Sequence, residues 1–489
     1  MNIRHGYKLC TIAALTVLGT GLVLGRAAVA QQGPYDVEAG TQVLTRGPVH
    51  EAFAQTVTFN PQPGIVVSQA PPDLIEEVPP DQRPEGANVT WIPGYWGWDD
   101  ERSSFLWISG TWRALPPGRQ WIPGYWSGSA QGIQWTSGYW ADAAVNVVQY
   151  LPAPPPTAEV GPNIAAPSPD SIWVPGSWVW YQDHYAWRPG YWGVVRPDWI
   201  WIPAHYVWAP RGYVFVDGYW DYSVNRRGVL FAPVYFDQVV YTRSNYHYSP
   251  SVVIDLSVFS DHLFLRPRYQ HYYFGDYYAP SYRSSGFYAS FTFNSTRYGY
   301  DPIYAHRRWE NRRDRDWEYR AQADFQNRRD HEDARPPRTL AAQITRSTSG
   351  VSSREKSPVV ARPFSQMTSR TNTPIRFQPV AHEERQQIVQ RGQAIHAYRV
   401  TREKRETGAE RPSAKQAARP TGPGRVVLPK SPIVAQSAAQ LRVALPRTPS
   451  VTRLPARTRA LGSNRHRPTA DTARSPARTR APDRTSKTR

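Results

Sequence analysis

Tryptophan is the residue type whose number and spacing in this chain could serve a chemical function, namely the binding of a ligand. A six-residue motif, Trp-x-x-Gly-x-Trp, recurs through residues 91–220, where eighteen of the twenty tryptophans lie. Indole faces stack on sugar rings and attract cations, so aromatic residues at the rims of the repeats could hold a glycan or a cell-wall polymer. Alternatively, the tryptophans form the core of a sheet that has little other apolar content, and the sequence leaves both interpretations open.

Six copies of the motif are intact and two are degenerate. The repeat positions are Trp91, Gly94 and Trp96; Trp107, Gly110 and Trp112; Trp121, Gly124 and Trp126; Trp135, Gly138 and Trp140; Trp173, Gly176 and Trp178; Trp187, Gly190 and Trp192; then Trp201 in one degenerate copy and Phe215, Gly218 and Trp220 in the other. Ala204 takes the glycine position of the first degenerate copy. The copies start 14 or 16 residues apart, except for one interval of 38, which indicates one structural unit repeated in two blocks.

The period predicts a mainly β fold. Fourteen residues suit one strand and a short reversal, and turn residues lie between the motifs. We expect antiparallel β-meander repeats, with one bent strand per ~14 residues in two blocks, followed by one or two helices and a long disordered basic tail. Trp91 and Trp96 are five residues apart and would point to opposite faces of a regular strand. We expect a bulge at Gly94 to return them to one face, with a type II turn at Pro93-Gly94 as the alternative.

Catalytic, cofactor and metal sites are not indicated by the sequence. It contains no Gly-rich phosphate loop, no Gly-x-Ser-x-Gly and no His-Glu-x-x-His motif, and its twelve histidines lack ligand spacing. The acidic stretch 99–101 is best interpreted as a hairpin tip, and the polar stretch 330–333 as a solvated helix face. We therefore expect no enzyme activity, no catalytic residue, no cofactor and no metal.

The first thirty residues are expected to be a secretory signal peptide. Arg4 and Lys8 precede an apolar run, residues 9–25, and Ala30 ends a small-x-small cleavage site. The run is shorter than the ~20 residues that a membrane span needs, and we expect no transmembrane span in the mature chain. The only cysteine is Cys10, so the mature chain would have neither a disulfide nor a thiolate metal site. The predicted location is the periplasm, the cell envelope or the extracellular space.

The positive charge is concentrated at the carboxyl end. Residues 411–489 contain eighteen Lys or Arg and two acidic residues, whereas the whole chain has a net charge of +19. A segment with few large apolar residues cannot bury enough surface to offset its ordering entropy, so we predict a disordered tail. Because an exported protein meets anionic envelope polymers before nucleic acid, such a polymer is the expected partner of this tail. The alternative is a solvated tail without a dedicated partner.

Proline, aromatic and charged residues divide the chain into segments. After the signal peptide (1–30) we expect a Pro-rich N-terminal linker (31–90), a first repeat block (91–141), a Pro-rich linker (142–171), a second repeat block (172–241), a Tyr-rich β segment (242–300), a charged helix (301–334), a mostly disordered segment (335–410) in which 381–406 could form a helix, and the disordered basic tail (411–489). Asp301 and Pro302 provide the N-cap and first-turn proline of the charged helix.

The tandem motifs resemble those of the WXXGXW-repeat, or YXWGXW-repeat, proteins of bacteria. The resemblance covers about 130 residues of the chain. It implies tandem repeats behind a signal peptide in an exported protein of unassigned function, and it supplies no catalytic residues.

Three functions follow from these patterns. The favoured one is an exported, envelope-associated structural or binding protein without catalysis, in which exposed aromatics bind glycan or peptidoglycan and the tail binds an anionic polymer. The first alternative is a secreted glycan-active enzyme that uses the repeats as binding modules, which a pair of acids in a Trp-lined cleft would favour. The second is an outer-membrane β-barrel, which Pro-interrupted strands poor in Leu and Val disfavour.

Overall fold

Short strands make up most of the regular structure. The structure describes residues 37–295, 298–348, 358–370, 375–408 and 424–436. The expected signal peptide with its cleavage at Ala30, and residues 411–423 and 437–489 of the tail, lie outside these residues. Many antiparallel strand pairs confirm the mainly β antiparallel class in this computed structural model.

The strands are β1 (Thr41–Val43), β2 (Gly47–Pro48), β3 (Val57–Thr58), β4 (Val66–Val67), β5 (Glu76–Glu77), β6 (Gln82–Pro84), β7 (Val89–Ile92), β8 (Tyr95–Asp99), β9 (Ser104–Ile108), β10 (Thr111–Ala114), β11 (Arg119–Ile122), β12 (Tyr125–Ser129), β13 (Gly132–Thr136), β14 (Tyr139–Asp142), β15 (Val147–Leu151), β16 (Ser171–Val174), β17 (Ser177–Tyr181), β18 (His184–Arg188), β19 (Tyr191–Val194), β20 (Trp199–Ile202), β21 (His205–Ala209), β22 (Gly212–Val216), β23 (Tyr219–Tyr222), β24 (Gly228–Leu230), β25 (Val234–Phe236), β26 (His247–Tyr248), β27 (Val252–Ile254), β28 (Leu263–Arg266), β29 (His271–Phe274), β30 (Tyr288–Ala289), β31 (Gly299–Tyr300), β32 (Ala361–Pro363), β33 (Phe377–Pro379) and β34 (Gly424–Val427).

Two motif copies face each other in every repeat hairpin. The eight copies form hairpin A (β7–β10), hairpin B (β11–β14), hairpin C (β16–β19) and hairpin D (β20–β23). In each hairpin the two inner strands pair with each other and the two outer strands pair with each other. Each motif therefore lies at the bend between an outer and an inner strand, as the period of one bent strand per motif predicted.

The expected bulge at Gly94 is wrong. Trp91 pairs with Trp112 and Trp96 pairs with Trp107, so equal numbers of residues separate the pairs on the two strands. Neither strand carries an extra residue, which a bulge requires. The type II turn is also absent, because the φ of Gly94 lies outside the left-handed region and the two strands stay paired on both sides of the bend.

The segment expected to be an N-terminal linker is part of the folded body from residue 37 onward. Its six strands, β1–β6, each pair with a strand from later in the chain. Strands of two or three residues are too short to show a period of two, so the sequence pattern did not reveal them. In the second Pro-rich segment, β15 pairs with β22 of hairpin D, while most of residues 152–170 are exposed.

Helices lie mainly in the carboxyl half. They are α1 (Gln238–Tyr241), α2 (Leu256–Phe259), α3 (Pro280–Ser284), α4 (Ser290–Ser295), α5 (Pro302–Glu310), α6 (Trp317–Asp330), α7 (Leu340–Thr348), α8 (Phe364–Thr368) and α9 (His382–Thr407). The predicted helix at 381–406 corresponds to α9. The rest of the segment 335–410, which we expected to be mostly disordered, also contains α7, α8, β32 and β33, so that expectation is wrong for its described residues. The single charged helix expected at 301–334 is instead two helices, and Asp301 caps the first by accepting from the backbone N–H groups of Ile303 and Tyr304. The Tyr-rich segment 242–300 contains short helices as well as strands.

Part of the basic tail is folded. β34 pairs with β15, and Leu428, Ile433 and Ala435 are buried. The expectation of disorder across 411–489 is therefore wrong for residues 424–436. These residues fold because they include a short apolar stretch that can bury its side chains against the body. In the described part of the chain, no helix has both the length and the apolar character to cross a membrane.

Candidate functional site

Each motif glycine makes room for the first tryptophan of the opposing motif. A Cβ added to Gly138 would lie 2.5 Å from Cζ2 of Trp121, and one added to Gly124 would lie 2.5 Å from the same atom of Trp135. The other motif glycines face an opposing indole in the same way: Gly94, Gly110, Gly176, Gly190 and Gly218. Glycine is therefore needed for close approach rather than for a special φ.

The two degenerate copies face each other in hairpin D. Tyr206 pairs with Phe215, so the motif that carries Ala204 is opposed by the motif that begins with phenylalanine. In the other hairpins the glycine of one motif faces the first tryptophan of the opposing motif. The larger Ala204 is thus matched with a smaller ring, and the two departures from the motif compensate each other sterically.

Buried glutamates occupy the bends of hairpins A, B and C. Glu77 accepts hydrogen bonds from the backbone N–H groups of Gly94 (2.7 Å) and Gly110 (2.9 Å). Glu51 accepts from Gly138 N–H at 2.9 Å. Glu159 accepts from Gly176 N–H at 2.5 Å. The bend takes these N–H groups out of the strand ladder, and a buried backbone donor needs a partner, which the carboxylates supply.

None of these three glutamates was predicted from the motifs, although the sequence contains a signal for two of them. Glu77 lies fourteen residues before Trp91, and Glu159 lies fourteen residues before Trp173. Each glutamate therefore stands one repeat period upstream of the first motif in its block, and each follows a run of prolines. The Pro-rich segments before the blocks are thus structural parts of the hairpins.

Helix α9 satisfies the carbonyl groups at the same bends. Arg402 donates to the carbonyl oxygens of Pro123 (2.9 Å) and Ser137 (3.0 Å) in hairpin B. Its neighbour Glu406 lies 3.0 Å from Arg402 Nε and accepts from the Tyr125 hydroxyl at 2.7 Å. Both side chains are fully buried, so the helix is a structural element of the bend.

Burial shifts the pKa values of the ionisable groups at the bend of hairpin A. Desolvation raises the pKa of Glu77 to about 7, although its hydrogen bonds from Trp107, Gly110 and Gly94 oppose that shift. Desolvation also lowers the pKa of Arg399 on α9 to about 10. These groups are enclosed in the core, so their shifted pKa values belong to the structural network of the bend.

The hairpins differ in how far their tryptophans are exposed. In hairpin A, Trp91, Trp107 and Trp112 are 1–2% exposed, and the first and last tryptophans of hairpin B are equally buried. The four motif tryptophans of hairpin C, in contrast, are only half-buried. Most repeat tryptophans are therefore core residues, and the binding interpretation can apply only to the accessible ones.

A cavity of about 710 Å³ lies beside hairpin C and is lined by aromatic and charged side chains. Trp173 and Trp192 line it from the hairpin, with ring centroids 5.4 Å apart and planes at 72°. Trp309 lines it from helix α5, and its indole N–H donates to Asp170 at 3.2 Å. Arg312 stacks on Trp309, with its guanidinium carbon 4.4 Å from the ring centroid.

Two acidic side chains also line this cavity, and both have partners. Glu159 is 9% exposed and accepts from the indole N–H of Trp173 at 3.0 Å. Glu318 accepts from the Tyr304 hydroxyl at 2.5 Å and lies 3.4 Å from Nε of Arg308. Within the described residues, no three His, Cys, Asp or Glu side chains gather where they could hold a metal ion.

Comparison with known protein families agrees with the hairpin unit. The family described as "WXXGXW repeat (2 copies)" matches residues 86–113, 172–192 and 196–221. The three matches correspond to hairpins A, C and D. The family unit has two copies of the motif, which is the number that one hairpin contains. No curated protein and no solved structure matches the chain. Residues 86–113, 172–192 and 196–221 therefore carry the WXXGXW repeat, and the match indicates a repeat protein of unassigned function.

Proposed function

We propose that this is an exported, envelope-associated protein without catalytic activity that binds a glycan at the cavity beside hairpin C. The observation that carries the proposal is that Trp173, Trp192 and Trp309 line one cavity. Export is inferred from the amino-terminal sequence pattern described above.

The difference between the hairpins supports this location. Hairpins A and C have the same motif, but the indoles of hairpin A are enclosed in the core. The indoles at the cavity keep accessible ring surface, and the volume of about 710 Å³ is within the usual range for ligand sites. Arg308 and Arg312 also line the cavity, and each lies beside an acidic partner, Glu318 and Asp170 respectively. The N–H groups that these ion pairs leave free would donate hydrogen bonds to hydroxyl groups of a sugar.

Titration of the intact protein with soluble peptidoglycan fragments, followed by tryptophan fluorescence, would test the proposal. Trp309→Ala should weaken binding by about tenfold, since truncating one central aromatic typically costs 1–2 kcal/mol or more. Trp180→Ala is the matched control, because Trp180 is half-buried in hairpin C and does not line the cavity. Equal effects of the two substitutions, or no binding by the unaltered protein, would reject the site.

One observation favours the alternative of a glycan-active enzyme. Glu159 and Glu318 line the same Trp-rich cavity, and a glycosidase uses two carboxyl groups on either side of the bond that it cleaves. We propose binding without catalysis because Glu159 already holds hydrogen bonds from Trp173 and Gly176, and Glu318 holds one from Tyr304. Release of reducing ends from peptidoglycan that is abolished by Glu318→Gln would instead support the enzyme.

A further inference from the structure

A second cavity, of about 460 Å³, lies where hairpin D, strand β27 and helix α5 meet. Ile200, Val253, Ile254 and Ile303 line it and are 2–3% exposed, so its inner wall is apolar. This cavity has no residue in common with the aromatic cavity beside hairpin C. It is large enough for a small organic molecule.

His306 lies between this cavity and a smaller one beside hairpins C and D, and it lines both. The residue is 3% exposed, and its Nδ1 lies 3.5 Å from Oε1 of Glu310. Within the described residues, its Nε2 atom has no hydrogen-bond partner. An unpaired buried polar group costs about 1–3 kcal/mol, and the structure carries this cost in the closed part of the wall.

The mouth of the cavity is rich in arginine. Arg362 lies 2.5 Å from Asp255, and Arg307 forms an ion pair with Asp261, so each of these cations has an acidic partner. Arg370 is exposed, and within the described residues it has no ion-pair partner. The mouth therefore offers one guanidinium whose donors can bind an anionic group.

We propose that this cavity binds an amphiphilic organic anion, independently of the glycan site. The apolar body of the ligand packs on Ile200, Val253 and Ile303. The anionic group binds Arg370 at the mouth. The ligand class follows from the combination of an apolar wall and one unpaired arginine at its mouth.

Calorimetric titration of the intact protein with decanoate, decanol and acetate tests this combination. Decanoate should bind at least tenfold more tightly than decanol, which lacks the charge, and than acetate, which lacks the apolar body. Arg370→Gln should weaken decanoate binding about tenfold and leave decanol binding unchanged. Arg329→Gln is the control, because Arg329 is an exposed arginine on α6 outside the cavity.

Two further results separate the ligand sources and guard against binding elsewhere. Retention of the protein on anionic phospholipid vesicles that is lost in Arg370→Gln would identify a lipid headgroup as the source, whereas decanoate binding without vesicle retention would identify a free acid. Val224→Trp should block decanoate by filling the cavity. Failure of decanoate to bind, equal binding of decanoate and decanol, or full binding in both Arg370→Gln and Val224→Trp would overturn the proposal.

Discussion

Replacement of Gly138 by alanine should destabilise the protein because the new methyl group would collide with a buried indole. The added Cβ would lie 2.5 Å from Cζ2 of Trp121 and 2.8 Å from the carbonyl oxygen of Ile122. Trp121 is 1% exposed, so its ring has no free space into which it can move. The φ of Gly138 is outside the left-handed region, so the cost is steric rather than conformational.

The expected loss follows from two opposing effects. Overpacking a close-packed core costs about 1–3 kcal/mol. Alanine also restricts the unfolded chain, which stabilises an unstrained position by about 0.4–1 kcal/mol. The free energy of unfolding should therefore fall by about 1 kcal/mol, within a range of about 0–2.6 kcal/mol. Gly128 in the same hairpin is the matched control, because no atom lies within 4 Å of its added Cβ, and Gly128→Ala should be neutral or slightly stabilising.

Urea unfolding followed by near-ultraviolet circular dichroism would measure both variants. A double-mutant cycle with Trp121→Phe adds a test of the mechanism, because hairpin D already combines Ala204 with Phe215. The smaller ring should make Gly138→Ala less costly, with a coupling energy of about 1 kcal/mol. Equal stability of the Gly138 and Gly128 variants, or strict additivity in the cycle, would refute the steric explanation.

Three further predictions concern the bends and the tail. Burial raises the pKa of Glu77 from 4.5 to about 7, so the folded state binds this proton more tightly than the unfolded state. The stability that the protonated side chain contributes is therefore lost as the pH rises from 4.5 to about 7. The free energy of unfolding, measured at several pH values, should fall by on the order of 3 kcal/mol in the unaltered protein but not in Glu77→Gln. Parallel curves of this free energy against pH for the two proteins would contradict the prediction. Arg402→Ala should lower the free energy of unfolding by about 3–5 kcal/mol, because it leaves Glu406 buried and unpaired, whereas the exposed Lys404→Ala should change it by less than about 0.5 kcal/mol in the same urea assay. Deletion of residues 437–489 should abolish binding to a polyanion such as heparin, and binding by the full chain should weaken steeply with salt; binding that ignores salt would exclude a purely electrostatic tail.

The sequence by itself determined the repeat, the fold class and the bent path of the chain at each motif. The fourteen-residue period and the turn residues between motifs required one bent strand per copy, and regular tryptophan spacing required cross-strand aromatic pairs. Trp91 with Trp112 and Trp96 with Trp107 are such pairs. The helix at 381–406 was also predictable, because its apolar residues recur with helical spacing and two of them, Ile388 and Ile395, are buried.

The form of the bend at each motif was decided by the tertiary structure. The five-residue spacing of the tryptophans is compatible with a bulge, a turn or a symmetric bend, and only the partner strand distinguishes them. The opposing motif bends directly opposite, so the two chains stay in register on both sides of the bend without an extra residue. The glycine is then required by an indole that comes from another part of the sequence.

The partners of the bend also depend on contacts that a local pattern does not contain. Glu77 reaches hairpin A from a short strand, and Arg402 reaches hairpin B from a helix more than 260 residues away. Their roles arise because bending removes backbone groups from the ladder in a buried place, and any nearby carboxylate or guanidinium of suitable reach can satisfy them. The exposure of the motif tryptophans was also decided by contacts with distant parts of the chain. Trp91 and Trp173 begin equivalent motifs, but only Trp91 is enclosed by later segments of the chain, whereas Trp173 borders a cavity.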